Sequence, residues 1–315
     1  MPGYEVFGLE ERNAINEIFD LNGGVLFAHG FDSIRNGVYK VREFEKNFST
    51  KFKSQYSQAV SSGSAAVKVA LIAAGIKEGD EIIVPSFTFI ATIEAILEIG
   101  AVPIIIDIDN SLNLDTSVIE NSITKNTKAL LPVHMMGAPV DMVGIQSTAK
   151  KYNLIIVEDN AQCCGGTYQG KLLGTFGQAS AFSFDGGKTL MTGEGGMVLT
   201  NDEKVFIRSR AYHDHGHAYN TSVGRGEDFA IMNGFNYRMT ELQGAIGIEQ
   251  LKKLDFIIDE QRKNKKKIKE QIYHLPLEFR KINDEGEIGD TIVFFLPTLE
   301  ITQKFMDKML SLIHI

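Results

Sequence analysis

The stretch DEIIVPSFTFIATIEAILEIGAVPIIIDID, residues 80–109, decides the fold of this chain. It opens with a short apolar run, continues with a helix pattern that Gly100 closes, and ends in a second, strongly apolar run. Strands that are apolar throughout are typical of parallel sheets, since helices cover both faces of such strands. The stretch therefore predicts a strand–helix–strand unit of an α/β protein.

The segments on either side of this unit continue the same alternation. Before it, GSAAVKVALIAAG has a helix pattern. After it come a short helix, SVIENSI, a buried strand, KALLPVHMM, a helix, DMVGIQSTAKKYN, and a further strand, LIIVEDN. The glycines of YQGKLLGTFG predict a hairpin, and SAFSFD and GMVLTND predict two more strands. We expect a mixed, mostly parallel sheet between helices.

The C-terminal part of the chain predicts a second, smaller unit. A long helix pattern begins at Thr240 and extends to residue 272, and its run of lysines is interpreted as a solvated helix face. One strand, DTIVFFLPT, and one helix, QKFMDKMLSLI, follow it. We therefore expect a large domain with an N-terminal arm over residues 1–250. Residues 251–315 are expected to form a partial small C-terminal α/β domain that looks truncated.

Composition excludes several classes of protein. The 315 residues are 43% hydrophobic and carry a formal net charge of −8, so no basic surplus is available for a nucleic-acid partner. No apolar run approaches a membrane span and no signal peptide is visible, so no membrane association is expected. Cys163 and Cys164 are adjacent, which disfavours a disulfide or a zinc site and favours two buried thiols. These features predict a cytoplasmic protein.

Lys188 lies among glycines in SFDGGKTLMTGEGG, residues 183–196. One interpretation is a nucleotide-binding loop that ends in Gly187-Lys188-Thr189. Such a loop needs a glycine where this chain has Phe182, and it should open a helix rather than lead into a strand. The other interpretation is a reactive amine that bonds covalently to a cofactor, and these two mismatches favour this second chemistry.

A lysine that binds pyridoxal phosphate needs companions, and the sequence offers one for each part of the cofactor. Asp159 ends an apolar strand, where parallel sheets place ligand sites, and suits the ring nitrogen. Gly63 and Ser64 stand at a turn and a helix start, whose free N–H groups and dipole suit a phosphate. Phe89 follows another strand end and could stack on the ring, and Gln162 could reach the ring hydroxyl.

This combination resembles the DegT/DnrJ/EryC1/StrS family of fold-type I, pyridoxal-phosphate-dependent sugar aminotransferases. The resemblance rests on SSGSAAVKVAL, GDEIIVPSFTFIAT, GAVPIIIDID, VEDNAQ, TGEGGMV and GFNYRMTELQGAIG, and it covers most of the chain. It implies that Lys188 bonds to the cofactor and shuttles a proton. It also implies that Asn236 reaches the phosphate from the partner subunit, so that the active sites are shared in a homodimer. The cofactor-binding residues that it implies are Gly63, Ser64, Ala65, Phe89, Asp159, Gln162, Ser183, Lys188 and Asn236.

The segments MPGYEVFG, DHGHAYNTSVGRGED and DEQRKNKKKIK resemble one subgroup in particular, which aminates carbon 8 of 3-deoxy-D-manno-octulosonate. This implies glutamate as the amino donor and 8-oxo-3-deoxy-octulosonate as the acceptor, in lipopolysaccharide sugar biosynthesis. A nucleotide-linked 3- or 4-keto sugar, which the usual relatives aminate, is the alternative acceptor. Asp185-Gly186-Gly187 departs from the Tyr-Pro-Thr of many members and changes the wall of the pocket. A pyridoxamine-dependent dehydratase, which has histidine in place of the lysine, is disfavoured by Lys188. A truncated or regulatory pyridoxal-phosphate-binding protein without turnover is the remaining alternative.

Other polar residues offer candidate ligands for the substrate or a metal. Arg35, Arg225 and Arg238 could grip a carboxylate or diphosphate, because a guanidinium donates two parallel hydrogen bonds to such groups. For each of them, a surface or subunit salt bridge is the simpler interpretation. The alternating histidines of HDHGH, residues 213–217, could bind a metal, but no carboxylate or cysteine cluster accompanies them and we expect none.

Overall fold

The computed structural model describes the backbone of residues 2–313 and the side chains of residues 2–310. Its α-helices are α1 (Leu9–Leu21), α2 (Lys40–Lys51), α3 (Gly63–Ala74), α4 (Ile90–Glu98), α5 (Met142–Tyr152), α6 (Glu203–Tyr212), α7 (Glu241–Ile272) and α8 (Leu299–Ile313). Its strands are β1 (Tyr56–Val60), β2 (Glu81–Pro85), β3 (Val102–Ile106), β4 (Thr127–Leu130), β5 (Ile155–Asp159), β6 (Thr167–Tyr168), β7 (Lys171–Leu172), β8 (Ala179–Ser183), β9 (Gly196–Thr200), β10 (Glu278–Phe279) and β11 (Phe294–Phe295).

Seven strands form the central sheet in the order β1-β9-β8-β5-β4-β2-β3. The pairs β2–β3, β2–β4, β4–β5 and β5–β8 are parallel. Strand β9 runs antiparallel to both of its neighbours, β8 and β1. The prediction of a mixed, mostly parallel sheet is therefore confirmed. The predicted hairpin forms as β6–β7, and β10 pairs with β11.

Helices cover both faces of the sheet, and a hydrophobic cluster fills each layer. One cluster joins the sheet to α2, α5 and α7, and the other joins it to α3, α4 and α6. In the first cluster Phe44, Phe48 and Phe52 pack on Phe182 and Phe184, with ring centroids 5.0–5.7 Å apart. Such offset and edge-on contacts between rings stabilise a core beyond the burial of their area.

Two glycines allow α2 and α7 to pack closely. A Cβ atom at Gly244 would lie 2.6 Å from the backbone nitrogen of Val41, and one at Gly247 would lie 2.6 Å from the ring of Phe44. Backbone and ring atoms cannot yield to such an approach, so only glycine fits at these positions. The GAIG segment thus fixes the contact between the two helices.

Helix α3 carries the residues that open the candidate site. It begins and ends where the sequence predicts, with the Ser62 Oγ accepting from the Ala65 N–H at 3.1 Å and Gly75 in the left-handed conformation (φ 101°). Its alanine and valine side chains are buried almost all around, which is typical of a helix enclosed by its neighbours. The start of α3 therefore lies against the sheet in a fixed position.

Several local predictions differ from the structure. The apolar strand β3 forms the edge of the sheet, and its Ile105 is 57% exposed. Residues Ile119–Ser122 form a 3-10 turn rather than an α-helix, and of residues 290–298 only Phe294–Phe295 is a strand. Residue 250, after which the sequence predicts a domain boundary, lies within helix α7, and the division into two domains stays a prediction. Short segments are decided by tertiary contacts more than by their own composition.

Two predictions about side chains and spans can be compared directly with the structure. Cys163 and Cys164 are both buried and free, as predicted. None of the helices within residues 2–313 combines the length and the apolar character of a membrane-crossing segment.

Candidate active site

A cavity of about 350 Å³ opens at the carboxyl ends of the parallel strands, where α/β sheets place their ligands. Residues that follow β1, β2, β5 and β8 line it together with the start of α3. Of the predicted cofactor-binding residues, it brings together Gly63, Ser64, Phe89, Asp159, Gln162, Ser183 and Lys188. Segments more than a hundred residues apart in the chain thus supply one cavity.

Asp159 forms the acidic end of this cavity. Its side chain is only 3% exposed, and its two oxygens accept hydrogen bonds from the Thr92 Oγ1 at 2.9 Å and the Ala161 N–H at 3.0 Å. Burial raises the pKa of Asp159, while these bonds and the positive charge of Lys188 act in the opposite direction. A buried carboxyl of this kind is stabilised as an anion by a cationic N–H donor, such as a protonated pyridine nitrogen.

The start of α3 forms an anion cradle beside Ser183. The Oγ of Ser62 accepts from the N–H of Ala65. The N–H groups of Gly63 and Ser64 therefore do not use this cap, and within the described residues they donate to no other acceptor. A Cβ atom at Gly63 would lie 2.5 Å from the Cβ of Ser183, so any larger residue would fill the cradle. Free N–H groups and the helix dipole suit a phosphate here.

Lys188 enters the cavity from a loop that its backbone holds in place. Its N–H donates to the carbonyl of Asp185 at 2.9 Å, and its carbonyl accepts from the N–H of Gly3 at 2.9 Å. The side chain is half-buried, and no hydrogen bond or ion pair engages its Nζ within the described part of the chain. An amine held in this way is available as a nucleophile and as a base.

Gln162 and Phe89 stand on other walls of the cavity. The Oε1 of Gln162 accepts from the Met136 N–H at 3.0 Å, which leaves the side-chain NH₂ as its available donor. Phe89 precedes α4 and is 65% exposed, so one face of its ring is open to the cavity that it lines. A donor and an exposed aromatic face in one cavity suit a planar ring that carries an oxygen.

Sequence reasoning missed several residues of the cavity. Thr92 bonds Asp159 directly, and its Oγ1 also lies 2.8 Å from the Oγ1 of Thr88. The carboxylates of Asp185 and Glu194 line the same space. A threonine in the first turn of α4 carries no signal of its own in the sequence, since hydroxyls near helix starts are common.

Two predicted residues do not line the cavity. Ala65 is buried, and its N–H is taken by the cap of α3, so the structure does not place it as a free phosphate donor. Asn236 is exposed, and its Oδ1 accepts from the N–H of Arg238 at 3.4 Å. Asn236 does not line the cavity of its own chain, and its role in a partner's site stays a prediction.

The three candidate arginines have partners inside the chain. Arg35 is fully buried and donates to the carbonyl of Phe27. Arg225 and Arg238 both donate to the buried carboxylate of Asp214. Burial favours a neutral Asp214, but hydrogen bonds from Arg225, Tyr219 and Arg238 outweigh it and hold the pKa of this carboxyl well below its usual range. The simpler interpretation, a salt bridge, therefore describes all three arginines, since Arg35 also lies 3.8 Å from the Oε1 of Glu241, although all of these pairs lie within one chain.

The histidine run does not converge on one point. His213 is buried with its Nδ1 2.6 Å from the carbonyl of Arg210, and the Nδ1 of His217 lies 3.4 Å from Asp228. His215 adopts a left-handed backbone, φ 56°. Across residues 2–313, no three His, Cys, Asp or Glu side chains form a group that could hold a metal ion.

The donor set of the cavity fits pyridoxal phosphate. A buried acid, a cradle of free N–H groups, a free amine, an amide donor and an exposed ring match the ring nitrogen, phosphate, aldehyde, hydroxyl and ring face of that cofactor. The fold together with this cavity is that of the fold-type I pyridoxal-phosphate enzymes. A sequence model described as the DegT/DnrJ/EryC1/StrS aminotransferase family matches residues 30–314, and the chain belongs to this family. The family predicted from the motifs is thus confirmed.

Two curated relatives and one solved structure support the assignment to this family. The GDP-perosamine synthase of Escherichia coli O157:H7 is 44% identical over 223 residues, which cover 70% of this chain and 60% of the relative. The GDP-perosamine synthase of Vibrio cholerae is 32% identical over 296 residues, which cover 94% of this chain and 76% of the relative. A solved structure of E. coli GDP-4-keto-6-deoxy-D-mannose-3-dehydratase with bound hydrated PLP matches with a TM-score of 0.87 and 28% identity, over 97% of this chain and 81% of that one. The chain thus spans about 60% of the length of the first of these relatives.

Proposed function

We propose that this protein is a pyridoxal-phosphate-dependent aminotransferase that moves an amino group from glutamate to a keto sugar. The observation that carries the proposal is the unpaired Lys188 amine in one cavity with buried Asp159 and the cradle at Gly63. Lys188 also disfavours the dehydratase alternative, although a dehydratase is among the structural relatives.

Some residues of the cavity bind the cofactor, and one of them, Lys188, transfers the proton. When bound, pyridoxal phosphate supplies an aldehyde that exchanges amines and a ring that accepts an electron pair. The N–H groups of Gly63 and Ser64 hold the phosphate, and Asp159 keeps the ring nitrogen protonated. The Nζ of Lys188 removes a proton from the reacting carbon of the donor and delivers one to the carbon of the acceptor.

For the acceptor, a nucleotide-linked keto sugar is the first candidate. It is supported by the names of two relatives, both GDP-perosamine synthases, at 44% and 32% identity. An 8-oxo-3-deoxy-octulosonate is the second candidate, because the small residues Gly186 and Gly187 before Lys188 leave room for a sugar.

The assignment of the amine is tested with Lys188→Ala and, as a matched control, the exposed Lys77→Ala. We expect the Lys188→Ala protein to bind pyridoxal phosphate without the visible band of a lysine-bound cofactor and to lose amine transfer, while Lys77→Ala keeps both. An unchanged visible band in Lys188→Ala would disprove the assignment. The acceptor is then identified by offering GDP-4-keto-6-deoxymannose and 8-oxo-3-deoxy-octulosonate to the glutamate-treated enzyme and following the return of that band.

We also propose a homodimer with shared active sites, supported by the exposure of Asn236 outside its own cavity. Mixed dimers of Asn236→Ala and Lys188→Ala chains should contain one intact site and recover activity. Mixtures no more active than either parent would argue against sharing. Loss of one charge-assisted hydrogen bond to the phosphate should cost about 1.5–3 kcal/mol of cofactor affinity in Asn236→Ala.

A further inference from the structure

A second cavity, which we call the Arg210 cavity, lies at the β1 edge of the sheet. It has a volume of about 250 Å³ and shares no lining residue with the Lys188 cavity. Helix α2, strand β1 and helix α6 form its walls, and the segments at His29 and Tyr219 complete it. The proposed amine transfer uses none of these residues.

Two guanidinium groups line the Arg210 cavity, the half-buried Arg210 and the exposed Arg42, and neither has an anionic partner among the described residues. Within the described residues, no carboxylate oxygen lies within 4.0 Å of Arg42 or Arg210. Each guanidinium lies over an aromatic ring instead, Arg210 at 4.0 Å from the centroid of Tyr219 and Arg42 at 4.1 Å from that of Tyr39. A ring face attracts a cation but does not neutralise it, so the cavity keeps a positive charge.

The histidines of the cavity add polar atoms without adding charge. His29 is only 8% exposed, and its Nε2 lies 3.8 Å from the Oδ2 of Asp214 without a hydrogen bond to any described residue. The Nδ1 of His213 donates to the carbonyl of Arg210, which leaves its Nε2 to accept from Gln58 at 3.2 Å. Burial lowers the pKa of both histidines to about 4, so both are neutral at pH 7.

Among the described residues, Glu45 is the one carboxyl that lines the cavity. Its Oε1 accepts from the Ala59 N–H at 2.8 Å and from the Gln58 Nε2 at 2.7 Å. Burial raises the pKa of Glu45 to about 7, while the Ala59 N–H, Arg210 and Arg42 act against that rise and Glu241 adds to it. Near neutral pH this carboxyl is partly protonated, so it offsets less than one of the two arginine charges.

We propose that the Arg210 cavity binds the oxyanion of a small molecule, either a phosphate or a carboxylate group. A guanidinium donates two parallel hydrogen bonds to such a group, and two of them in one cavity provide charge and direction. The small volume limits the ligand to a few heavy atoms or to the anionic end of a larger metabolite. Ionisation of Glu45 adds a negative charge beside the ligand, so the affinity falls as the pH rises through about 7.

The test measures binding directly by equilibrium dialysis, with one equivalent of pyridoxal phosphate per chain bound beforehand, so that the α3 cradle is occupied and no free phosphate ester competes for the Arg210 cavity. Radiolabelled sulfate represents a phosphate group without titrating between pH 6 and 8, and radiolabelled acetate represents a carboxylate; chloride keeps the ionic strength constant. We expect one of the two to bind, and Arg210→Gln to raise its Kd about tenfold or more, because a charge-assisted bond is lost. The exposed Arg12→Gln on α1 serves as the matched control and should leave the Kd unchanged.

Measuring the Kd of the anion at two pH values distinguishes the Arg210 cavity from any other anion site. Wild-type binding should weaken between pH 6 and pH 8, and Glu45→Gln should bind with the same Kd at both. Absence of binding of either anion, or an Arg210→Gln protein that binds as tightly as wild type, would overturn the proposal. A Glu45→Gln protein that keeps the full pH dependence would also overturn it, because no other group facing the ligand titrates in that range. None of these outcomes depends on amine transfer.

Discussion

Replacing Asp159 with asparagine removes a buried negative charge and keeps the shape of the side chain. The amide oxygen of the new side chain would still accept from the Ala161 N–H, and its NH₂ would donate to the Thr92 Oγ1, whose hydroxyl can turn towards Thr88. The substitution therefore isolates the charge from the local hydrogen bonds. Its effects on the protein without cofactor and on cofactor binding should have opposite signs.

Cofactor binding should weaken in Asp159→Asn. A charge-assisted hydrogen bond to the ring nitrogen becomes a neutral one, which costs about 1.5–3 kcal/mol, or roughly 10- to 150-fold in Kd. The cofactor-free protein should become no less stable at pH 8, because burial raises the pKa of Asp159 in the folded state. With such a shift the folded state binds more protons than the unfolded state, so wild-type stability falls as the pH rises above about 4. The Asp159→Asn variant has no carboxyl at this position and so does not lose this stability as the pH rises.

The measurements are a spectroscopic titration of the cofactor-free protein with pyridoxal phosphate and urea unfolding at pH 5 and pH 8. Thr92→Val serves as the comparison, since it keeps the charge of Asp159 but removes one of its hydrogen-bond donors. We expect a smaller change in Kd for Thr92→Val than for Asp159→Asn. An unchanged cofactor Kd in Asp159→Asn, or a cofactor-free variant clearly less stable than wild type at pH 8, would refute the reasoning.

Three further substitutions test the fold that supports the site. Gly63→Ala should weaken cofactor binding and lower the free energy of unfolding by about 1–3 kcal/mol, because its Cβ meets the side chain of Ser183 at 2.5 Å. Gly224→Ala, with open space around its Cβ, should change neither quantity, and equal effects of the two substitutions would contradict the cradle. Phe48→Ala should lower the free energy of unfolding by about 3–5 kcal/mol in urea, and the half-exposed Phe256→Ala by much less. Asp214→Asn should cost about 3–5 kcal/mol at pH 7 by leaving two arginines without their carboxylate. That deficit should narrow as the pH falls below about 4, because the unfolded wild type then binds a proton on this carboxyl while the folded state, with its lowered pKa, does not. A deficit that does not change with pH would point to another cause.

The sequence by itself determined the elements and the order in which they supply the site. Apolar runs and helix periodicity depend on neighbouring residues only, so α3, α4, β2 and β5 lie close to where the pattern predicts them. In a parallel sheet the strand ends meet at one edge, so residues such as Asp159 and Lys188 could be assigned to one cavity before any contact was known.

Only the tertiary structure decided which polar groups face one another. It pairs Thr92 with Asp159, joins Arg225 and Arg238 through Asp214, and leaves Arg210 without a carboxylate. It also leaves β3 at the edge of the sheet, although its composition resembles that of the enclosed strands. These outcomes depend on distances between residues far apart in the chain, which packing of the whole core sets and which no local pattern encodes.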